Sequence, residues 1–91
     1  MRILKYTTQF KKDLKRIQNK PKKIAALEKA LYLLRETGTV PPEYRPHFLK
    51  GNYRGCMECH IQGDFLLIWI DKSDNVIKLI RLGSHSELFK K

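Results

Sequence analysis

Two consecutive prolines, Pro41 and Pro42, divide this chain into segments with different spacings of apolar residues. Before the prolines, apolar residues recur at intervals of three and four, as they do along one face of an α-helix. After the prolines, the chain consists of short apolar runs separated by turn residues, a pattern typical of strands. The sequence therefore predicts helices in the first half and a sheet in the second.

The first half is predicted to form a short strand and a helical hairpin. The strand covers residues 2–6, and Thr7 or Thr8 offers a side-chain cap for the first helix. Pro21 suits the first turn of the second helix because it has no backbone N–H to leave unpaired, and Gly38 is suited to end that helix. The expected core-facing residues of the two helices are Phe10, Leu14, Ile17, Ile24, Leu27, Leu31 and Leu34.

The second half is predicted to contain three strands, over residues 53–61, 65–70 and 76–82. Turn residues at 62–64 and 71–75 separate them, and such short connections imply antiparallel neighbours. The whole chain is then an α+β fold with the order β-α-α-β-β-β, in which an antiparallel sheet packs against an N-terminal helical hairpin and a short segment ends the chain. We expect residues 1–91 to form one domain.

Composition indicates where such a chain resides. No apolar run approaches the roughly 20 residues that a membrane helix needs, and the N-terminus lacks the apolar core of a secretion signal. Cys56 and Cys59 are too few for a disulfide scaffold. We therefore expect a soluble, cytoplasmic protein.

Cys56, Cys59 and His60 form a C-x-x-C-H pattern that has two chemical interpretations. The pattern matches the attachment of c-type haem and is also half of a zinc site. Haem attachment of that kind requires export, and a four-ligand zinc site needs His47 or His85 from elsewhere in the chain. On a regular strand the two cysteines point to opposite faces, so we expect ordinary thiols, no metal and no other cofactor.

The positive charge is concentrated in the first half. The formal net charge is +10, and residues 1–37 hold 11 of the 19 Lys and Arg residues but 3 of the 9 Asp and Glu residues. This asymmetry favours a polyanion such as nucleic acid as the partner, because each neutralised phosphate releases counterions. The alternative is a lysine-rich helix surface that simply faces solvent.

The groups that exchange protons near neutral pH all lie in the second half, at His47, His60 and His85. His85 stands in a C-terminal stretch that also contains Arg81 and Phe89. Strand alternation places His60 on one face with Arg54 and Glu58. The residues predicted on the opposite face are Tyr53, Met57, Cys59 and Ile61. This pattern predicts a polar working face above an apolar core face.

A series of spaced motifs runs almost from end to end of the chain. In chain order they are His47-Phe48-Leu49-Lys50-Gly51, Tyr53-Arg54-Gly55, Glu58-Cys59-His60 with Asp64, Arg81-Leu82-Gly83-Ser84-His85, and Leu88-Phe89. This series resembles the YafQ-type branch of the RelE/ParE toxin superfamily, whose order of elements agrees with the predicted one. The resemblance implies the toxin of a type II toxin–antitoxin system: an mRNA endoribonuclease that acts on translating ribosomes, needs no metal and is held inactive by a cognate antitoxin.

The resemblance also assigns catalytic residues. They fall on His47, His60, His85, Asp64 and Arg81. RNA cleavage by the ribose 2′-OH needs a base, an acid and positive charge, which imidazoles and a guanidinium supply. We expect His85 to be the general acid, and either His60 or His47 to be the general base. Arg81 is expected to bind phosphate oxygens, and Asp64 either to orient an imidazole or to contact a base.

The remaining assignments concern contacts with RNA and with a protein partner. Phe89 is expected to stack on an mRNA base, the alternative being that it packs the chain end onto the core. Phe65, where family members often carry tryptophan, is a second candidate for a substrate contact. Arg54 and Lys50 complete the expected substrate contacts. The side chains expected to bind ribosomal RNA are Lys11, Lys12, Lys15, Arg16, Lys22 and Lys23. An acidic antitoxin segment suits the same basic surface.

Two other functions are compatible with parts of this pattern. A ParE-like topoisomerase inhibitor has the same fold, but that branch lacks the three histidines. A nucleic-acid-binding module without catalytic activity accounts for the charge, and it predicts that all three histidines can be replaced without loss of function. The histidines therefore distinguish a nuclease from both alternatives.

Overall fold

The computed structural model describes residues 1–72 and 74–89, which form five strands and three α-helices. In chain order these are β1 (Ile3–Tyr6), α1 (Thr8–Arg16), α2 (Pro21–Thr37), β2 (His47–Phe48), β3 (Met57–Gln62), β4 (Phe65–Lys72), β5 (Val76–Ser84) and α3 (His85–Leu88). Ser73, in the predicted turn at 71–75, and Lys90 and Lys91, in the predicted terminal segment, lie outside the described residues. Within the described part, no helix is long and apolar enough to cross a membrane.

The helical hairpin forms as the sequence predicts. The Thr7 side chain caps α1 by accepting a hydrogen bond from the Phe10 N–H at 3.2 Å. Pro21 is the first residue of α2, and Gly38 ends this helix in a left-handed conformation with a φ of 83°. A Cβ atom at position 38 would lie 2.6 Å from the Arg2 guanidinium, which a shift of that flexible side chain can relieve, so the left-handed backbone is what favours glycine here.

The strands form one sheet in the order β1-β5-β4-β3-β2. β3, β4 and β5 are successive antiparallel neighbours, which confirms the predicted meander. β1 differs, because it pairs with β5 in parallel, from Ile3 opposite Val76 to Tyr6 opposite Leu79. The sheet is therefore mixed. Parallel neighbours need a long connection, and the chain between β1 and β5 supplies it.

The region before β3 differs from the prediction. Residues 53–56 are not part of a strand: Tyr53 ends a short 3₁₀ helix, Gly51–Tyr53, and β3 begins at Met57. Gly51 and Gly55 have φ values of 71° and 90°, which a regular strand does not contain. The two-residue strand β2 pairs antiparallel with β3 and is too short to produce a recognisable sequence period.

The sheet has two different faces. The helix face packs against α1 and α2, and its strand residues are Met57, Cys59, Phe65, Leu67, Trp69, Ile77, Leu79 and Leu82. Phe10, Leu27 and Leu34 of the helices are buried in the same core, as predicted. The histidine face carries His47, Glu58, His60, Leu66, Ile68 and Ile80. Leu66 and Ile68 are buried there in a small cluster with Tyr53, Leu88 and Phe89.

Candidate active site

The register of the strands sets candidate residues side by side on the histidine face. One row across the sheet consists of His47, Glu58, Ile68 and Arg81. His60 occupies a neighbouring row, opposite Leu66. Because neighbouring strands are about 4.8 Å apart, the backbones of Glu58 and Arg81 are separated by roughly 10 Å. A histidine–carboxylate pair and an arginine therefore lie on either side of the buried Ile68.

His47 has two hydrogen-bonding partners. Its Nδ1 lies 2.9 Å from the Arg45 carbonyl oxygen, and its Nε2 lies 3.1 Å from Oε1 of Glu58. A carbonyl oxygen only accepts, so Nδ1 is the donor of the first bond. When Nε2 also donates, the ring is an imidazolium that faces a carboxylate. The side chain of His47 is 48% exposed and that of Glu58 is 5% exposed, so the pair reaches from solvent into the interior.

His60 and Glu58 complete this side of the site. The ring of His60 is partly buried, and its centroid lies 6.4 Å from that of His47. In residues 1–72 and 74–89, the hydrogen bonds of the histidine rings all belong to His47, which leaves the ring nitrogens of His60 available to a substrate. Glu58 Oε2 is buried and has no hydrogen-bond partner among these residues. The contact of Oε1 with Nε2 of His47 is thus the polar side-chain contact of this buried carboxyl group among the described residues.

Ser84 and Glu87 fix the short helix that carries His85. The Ser84 hydroxyl accepts from the Glu87 N–H at 3.2 Å, and Glu87 Oε1 accepts from the Ser84 N–H at 2.7 Å. These reciprocal bonds form a capping box at the start of α3. The Ser84 backbone N–H holds the pKa of Glu87 below its ordinary value, and the charges of Arg16 and Lys20 lower it further.

Asp64 connects the turn between β3 and β4 to His85. Its Oδ1 accepts a hydrogen bond from the His85 backbone N–H at 3.2 Å. The His85 side chain is exposed, and its ring centroid lies 4.9 Å from that of Phe89. Asp64 therefore holds the backbone of His85 rather than an imidazole nitrogen.

The guanidinium of Arg81 is bound on two sides. Its Nε donates to Oδ2 of Asp13 at 2.8 Å, and its Nη2 donates to Oδ1 at 3.3 Å. Its Nη1 donates to the Tyr53 hydroxyl at 3.2 Å. The bond to Asp13 is the main cause that raises the pKa of Arg81, and the bond to Tyr53 adds to it. The Arg81 side chain is 17% exposed, so part of this cation is accessible from solvent.

Asp13 is a buried carboxylate on α1, only 1% exposed. Besides Arg81, it accepts hydrogen bonds from the Leu82 backbone N–H at 2.9 Å and from Nη2 of Arg16 at 3.1 Å. Arg16 in turn lies 3.5 Å from Glu87. A series of ionic contacts thus runs from Arg81 through Asp13 and Arg16 to α3.

Tyr53 and Phe89 connect Arg81 to His85. Their rings meet edge to face, with centroids 5.7 Å apart and an interplanar angle of 85°. Phe89 also contacts the His85 ring, and Tyr53 also binds Arg81. The structure therefore brings His85, Phe89 and Arg81 together through Tyr53.

Three of the predicted substrate contacts lie elsewhere. Phe65 is 2% exposed and belongs to the helix face, where Nζ of Lys23 lies 4.8 Å from its ring centroid. Its ring is closed to RNA, so the prediction of a substrate contact by Phe65 is not supported. Lys50 and Arg54 are exposed and flank the 3₁₀ helix, and within the described residues their side chains form no hydrogen bond with the site.

The basic side chains predicted to bind the ribosome have different surroundings. Lys11, Lys12, Lys15 and Lys22 are exposed. Arg16 pairs with Asp13 and Glu87, and Lys23 rests over Phe65. The four lysines therefore present their charge to solvent, whereas Arg16 and Lys23 also stabilise contacts within the chain.

Cys56 and Cys59 lie in different clusters on opposite faces of the sheet, as predicted. Burial raises the pKa of both thiols, and it raises that of Cys59 to about 12. Neither is a thiolate near neutral pH, which is the form that binds metals. In the part of the chain that the structure describes, no group of three His, Cys, Asp or Glu side chains is arranged to hold a metal ion.

Sequence reasoning did not assign Asp13, Glu58 or Tyr53 to the site. Asp13 had a signal, because it stands three residues after Phe10 and four before Ile17, within the apolar stripe of α1. Glu58 was placed on the polar face beside His60 but was given no role, because its partner His47 belongs to a two-residue strand. Tyr53 was predicted to lie on the core side of a strand, and the 3₁₀ helix places it on the histidine face instead.

Comparison with known proteins gives a consistent result. A family model described as the bacterial toxin of a type II toxin–antitoxin system, YafQ, matches residues 2–90. The mRNA interferase toxin YafQ of Escherichia coli strain K12 is 32% identical to this chain over 89 residues, which cover 97% of this chain and 96% of that protein.

Two solved structures have the same architecture. YafQ in the E. coli DinJ–YafQ toxin–antitoxin complex superposes with a TM-score of 0.83 and 31% identity, covering 97% of each chain. A metal-bound toxin from Helicobacter pylori superposes with a TM-score of 0.84 and 37% identity, covering 98% of this chain and 100% of that one. These matches confirm the predicted α+β architecture.

Proposed function

The chain belongs to the YafQ family of toxins of bacterial type II toxin–antitoxin systems, and from this membership we propose that it is an endoribonuclease that cleaves mRNA on translating ribosomes. The histidine face is the observation that carries the proposal. His47, His60 and the buried Glu58 lie on this face, and Arg81 is paired with its Ile68. The helix α3, which carries His85, packs Leu88 into the apolar cluster of the same face. A ParE-like inhibitor or a module that only binds RNA has no need of such a set.

The reaction follows from the groups available. A base takes the proton of the ribose 2′-OH, and the 2′-oxygen attacks the neighbouring phosphorus. The bond between phosphorus and the 5′-oxygen then breaks, and an acid protonates the departing oxygen. The products are a 2′,3′-cyclic phosphate and a free 5′-hydroxyl. Each proton that one histidine takes up is matched by one that another releases, so no co-reactant is consumed.

We assign the base to His60. Both nitrogens of His47 are engaged, by Arg45 and by Glu58, whereas those of His60 are available. His47 then contributes charge as an imidazolium beside the attacked phosphate. His85 is the general acid, since it is exposed and its backbone is held by Asp64.

Arg81 and Phe89 bind the substrate in this proposal. Each terminal nitrogen of the Arg81 guanidinium retains an N–H after its bonds to Asp13 and Tyr53, and these donors suit two phosphate oxygens. Phe89 is partly buried against Tyr53 and offers its remaining surface to an unstacked base. Lys50 and Arg54 lie further out and contact the RNA backbone.

The chemistry needs no metal ion. Side chains supply the base, the acid and the positive charge, which are the tasks that a metal performs in other nucleases. The related H. pylori toxin has been solved with a bound metal, so this proposal needs its own test. Protein dialysed against a chelator is expected to cleave ribosome-bound mRNA at the original rate. A rate that falls and returns with added zinc or copper would contradict metal independence.

The proposed partners are an antitoxin and the ribosome. The E. coli relative is found in a complex with DinJ, which supports a cognate antitoxin for this chain. A net charge of +10 suits both an acidic antitoxin segment and ribosomal RNA. Contacts with ribosomal RNA are assigned to Lys11, Lys12, Lys15, Arg16, Lys22 and Lys23. The chain then acts as a single domain, residues 1–91, in the cytoplasm where ribosomes translate.

The test is induction of the wild-type chain and of His85→Ala in bacteria, followed by mapping of mRNA 5′ ends with and without translation. Growth arrest with new mRNA ends is expected, and the ends should vanish in His85→Ala and when translation is blocked. Ser86→Ala is the control, because it changes an exposed residue of the same short helix. Arrest without new ends, or the same ends from His85→Ala, would overturn the proposed function.

A further inference from the structure

We propose that Asp13 is a positioning residue for Arg81, with the Tyr53 hydroxyl as the second contact that fixes the guanidinium. Asp13 belongs to α1, on the helix side of the molecule, and the assignment of catalytic groups did not include it. The inference rests on the proposed function, because positioning has a catalytic meaning only if Arg81 binds the phosphate of a cleaved RNA.

The end of β1 creates the place that Asp13 occupies. β1 pairs with β5 only up to Tyr6 opposite Leu79, so among the described residues no strand lies beside this edge of β5 beyond that point. The Asp13 carboxylate lies against this edge and accepts a hydrogen bond from the Leu82 backbone N–H at 2.9 Å. A buried N–H without a partner is costly, and the same carboxylate that pairs it also binds Arg81. The position of Asp13 is thus fixed by the backbone of the strand that carries Arg81.

The contacts of Arg81 restrict its orientation. Two bonds from Nε and Nη2 to one carboxylate define the plane of the guanidinium. The bond from Nη1 to Tyr53 directs the opposite end towards the histidine face. Of the five N–H groups of an arginine, three are used and two remain for a ligand. A long side chain that otherwise samples many rotamers is therefore held in one arrangement before RNA binds.

The charges around Asp13 leave Arg81 useful as a cation. The single carboxylate of Asp13 contacts two guanidinium groups, those of Arg81 and Arg16. Asp13 is shared between these two cations, so it does not neutralise Arg81 alone. Because Arg16 also reaches Glu87, the same carboxylate is connected to the helix that carries His85.

The experiment is a double-mutant cycle on single-turnover cleavage of mRNA bound to purified ribosomes. Arg81→Ala is expected to lower the cleavage rate by about 100- to 1000-fold. Asp13→Asn, which keeps the shape of the side chain, is expected to lower it by about 100-fold while ribosome binding changes by less than about twofold. The double variant should be no slower than Arg81→Ala, because both changes remove the same contribution. Asp71→Asn, which removes an exposed carboxylate from β4, is the matched control and should cleave at the wild-type rate.

Each outcome has a distinct meaning. Losses that add in the double variant, or an Asp13→Asn protein that cleaves normally, would overturn the positioning of Arg81 while leaving the nuclease intact. A wild-type chain that cleaves no mRNA would overturn the proposed function and this inference together. Slow solvent exchange of the Arg81 Nε proton, followed by NMR, is expected in the wild type and should be lost in Asp13→Asn.

Tyr53→Phe provides an independent variant if Asp13→Asn does not fold. It removes the hydroxyl and keeps the ring that packs against Phe89. A loss of about tenfold is expected, and none in the background of Arg81→Ala. An equal loss in both backgrounds would contradict the role of the hydroxyl in holding Arg81.

Discussion

The helix face and the histidine face are built from alternate residues of the same strands, but they are covered in different ways. On β4, Phe65, Leu67 and Trp69 pack towards the helices, whereas Leu66 and Ile68 pack towards the histidines. Two helices of 9 and 17 residues cover the first face. A short 3₁₀ helix and the four-residue α3 partly cover the second. One face is sealed from water, and the other leaves polar groups accessible.

The two faces therefore contribute to different properties of the protein, one mainly to its stability and the other to the proposed site. Residues of the helix face stabilise the fold through burial, and most of them touch nothing that a substrate can reach. Residues of the histidine face are positioned by that fold, and several are exposed or only partly buried. Substitutions on the helix face should therefore change the free energy of unfolding, and substitutions of the polar residues on the histidine face should change the cleavage rate.

The largest effect is expected for His60→Gln. Loss of a general base typically lowers a rate by about 10² to 10⁴-fold. The free energy of unfolding should change by less than about 1 kcal/mol, because the ring of His60 makes no hydrogen bond within the described chain. Single-turnover cleavage and urea denaturation measure the two quantities, with Gln62→Ala on the same strand as the control. A variant that cleaves normally, or one that is strongly destabilised, would break the separation of the two faces.

Trp69→Ala is the corresponding change on the helix face. Trp69 is 1% exposed, and removal of a buried aromatic ring from a core typically costs about 3–5 kcal/mol. The folded fraction that remains should cleave mRNA at the wild-type rate. Urea denaturation checks the first statement, and the rate per folded molecule checks the second. The control is Tyr32→Ala, since Tyr32 is 57% exposed on α2 and its loss should cost little.

Glu58→Gln sharpens the comparison because Glu58 is a buried charge on the histidine face. The amide keeps the shape but removes the carboxylate that faces His47, so a loss of about tenfold in cleavage is expected. His47 is half exposed and stays hydrated, which limits the change in unfolding free energy to about 1 kcal/mol. Comparison with Glu43→Gln, at an exposed site, isolates the effect. Equal rates for both variants would show that the pair has no part in cleavage.

The effect that is smallest near neutral pH, and that emerges only in alkali, concerns Cys59. Its pKa is about 12 in the folded chain, against an ordinary value of 9.0. The unfolded thiol therefore loses its proton first, and the stability that the neutral thiol provides is complete below pH 9 and is lost as the pH rises towards 12. In Cys59→Ala this part of the alkaline decline should be absent, as measured by urea denaturation from pH 8 to 11. A decline identical to that of the wild type would refute the assignment, and Cys56→Ala serves as the comparison.

Much of the fold was predictable because its signals are local. The cap at Thr7, the start of α2 at Pro21 and its end at Gly38 depend on neighbouring residues alone, and all three are confirmed. The parallel pairing of β1 with β5 was not predictable in this way, since it joins positions more than seventy residues apart. The irregular segment around Tyr53 depends on two glycines whose φ values are fixed by the final packing.

The site was predictable where a family pattern supplied it and not where the fold creates it. The histidines, Arg81 and Phe89 were found from motifs, and their assigned roles stay predictions. The pairing of His47 with Glu58 depends on the register of a two-residue strand. The bond between Asp13 and Arg81 depends on where β1 ends. Phe65 was misassigned because a strand residue next to a catalytic motif can point to either face, and here it points to the helices.

The pairing of β1 with β5 also bears on when the protein folds during synthesis. The first strand made lies beside the last strand made, so the sheet cannot close until residues 76–79 have been synthesised. Arg81 and His85 follow them in the chain, and helices with local contacts form sooner than such a distant pairing. The groups proposed to cleave RNA are therefore brought together late, after residues 76–85 have been made.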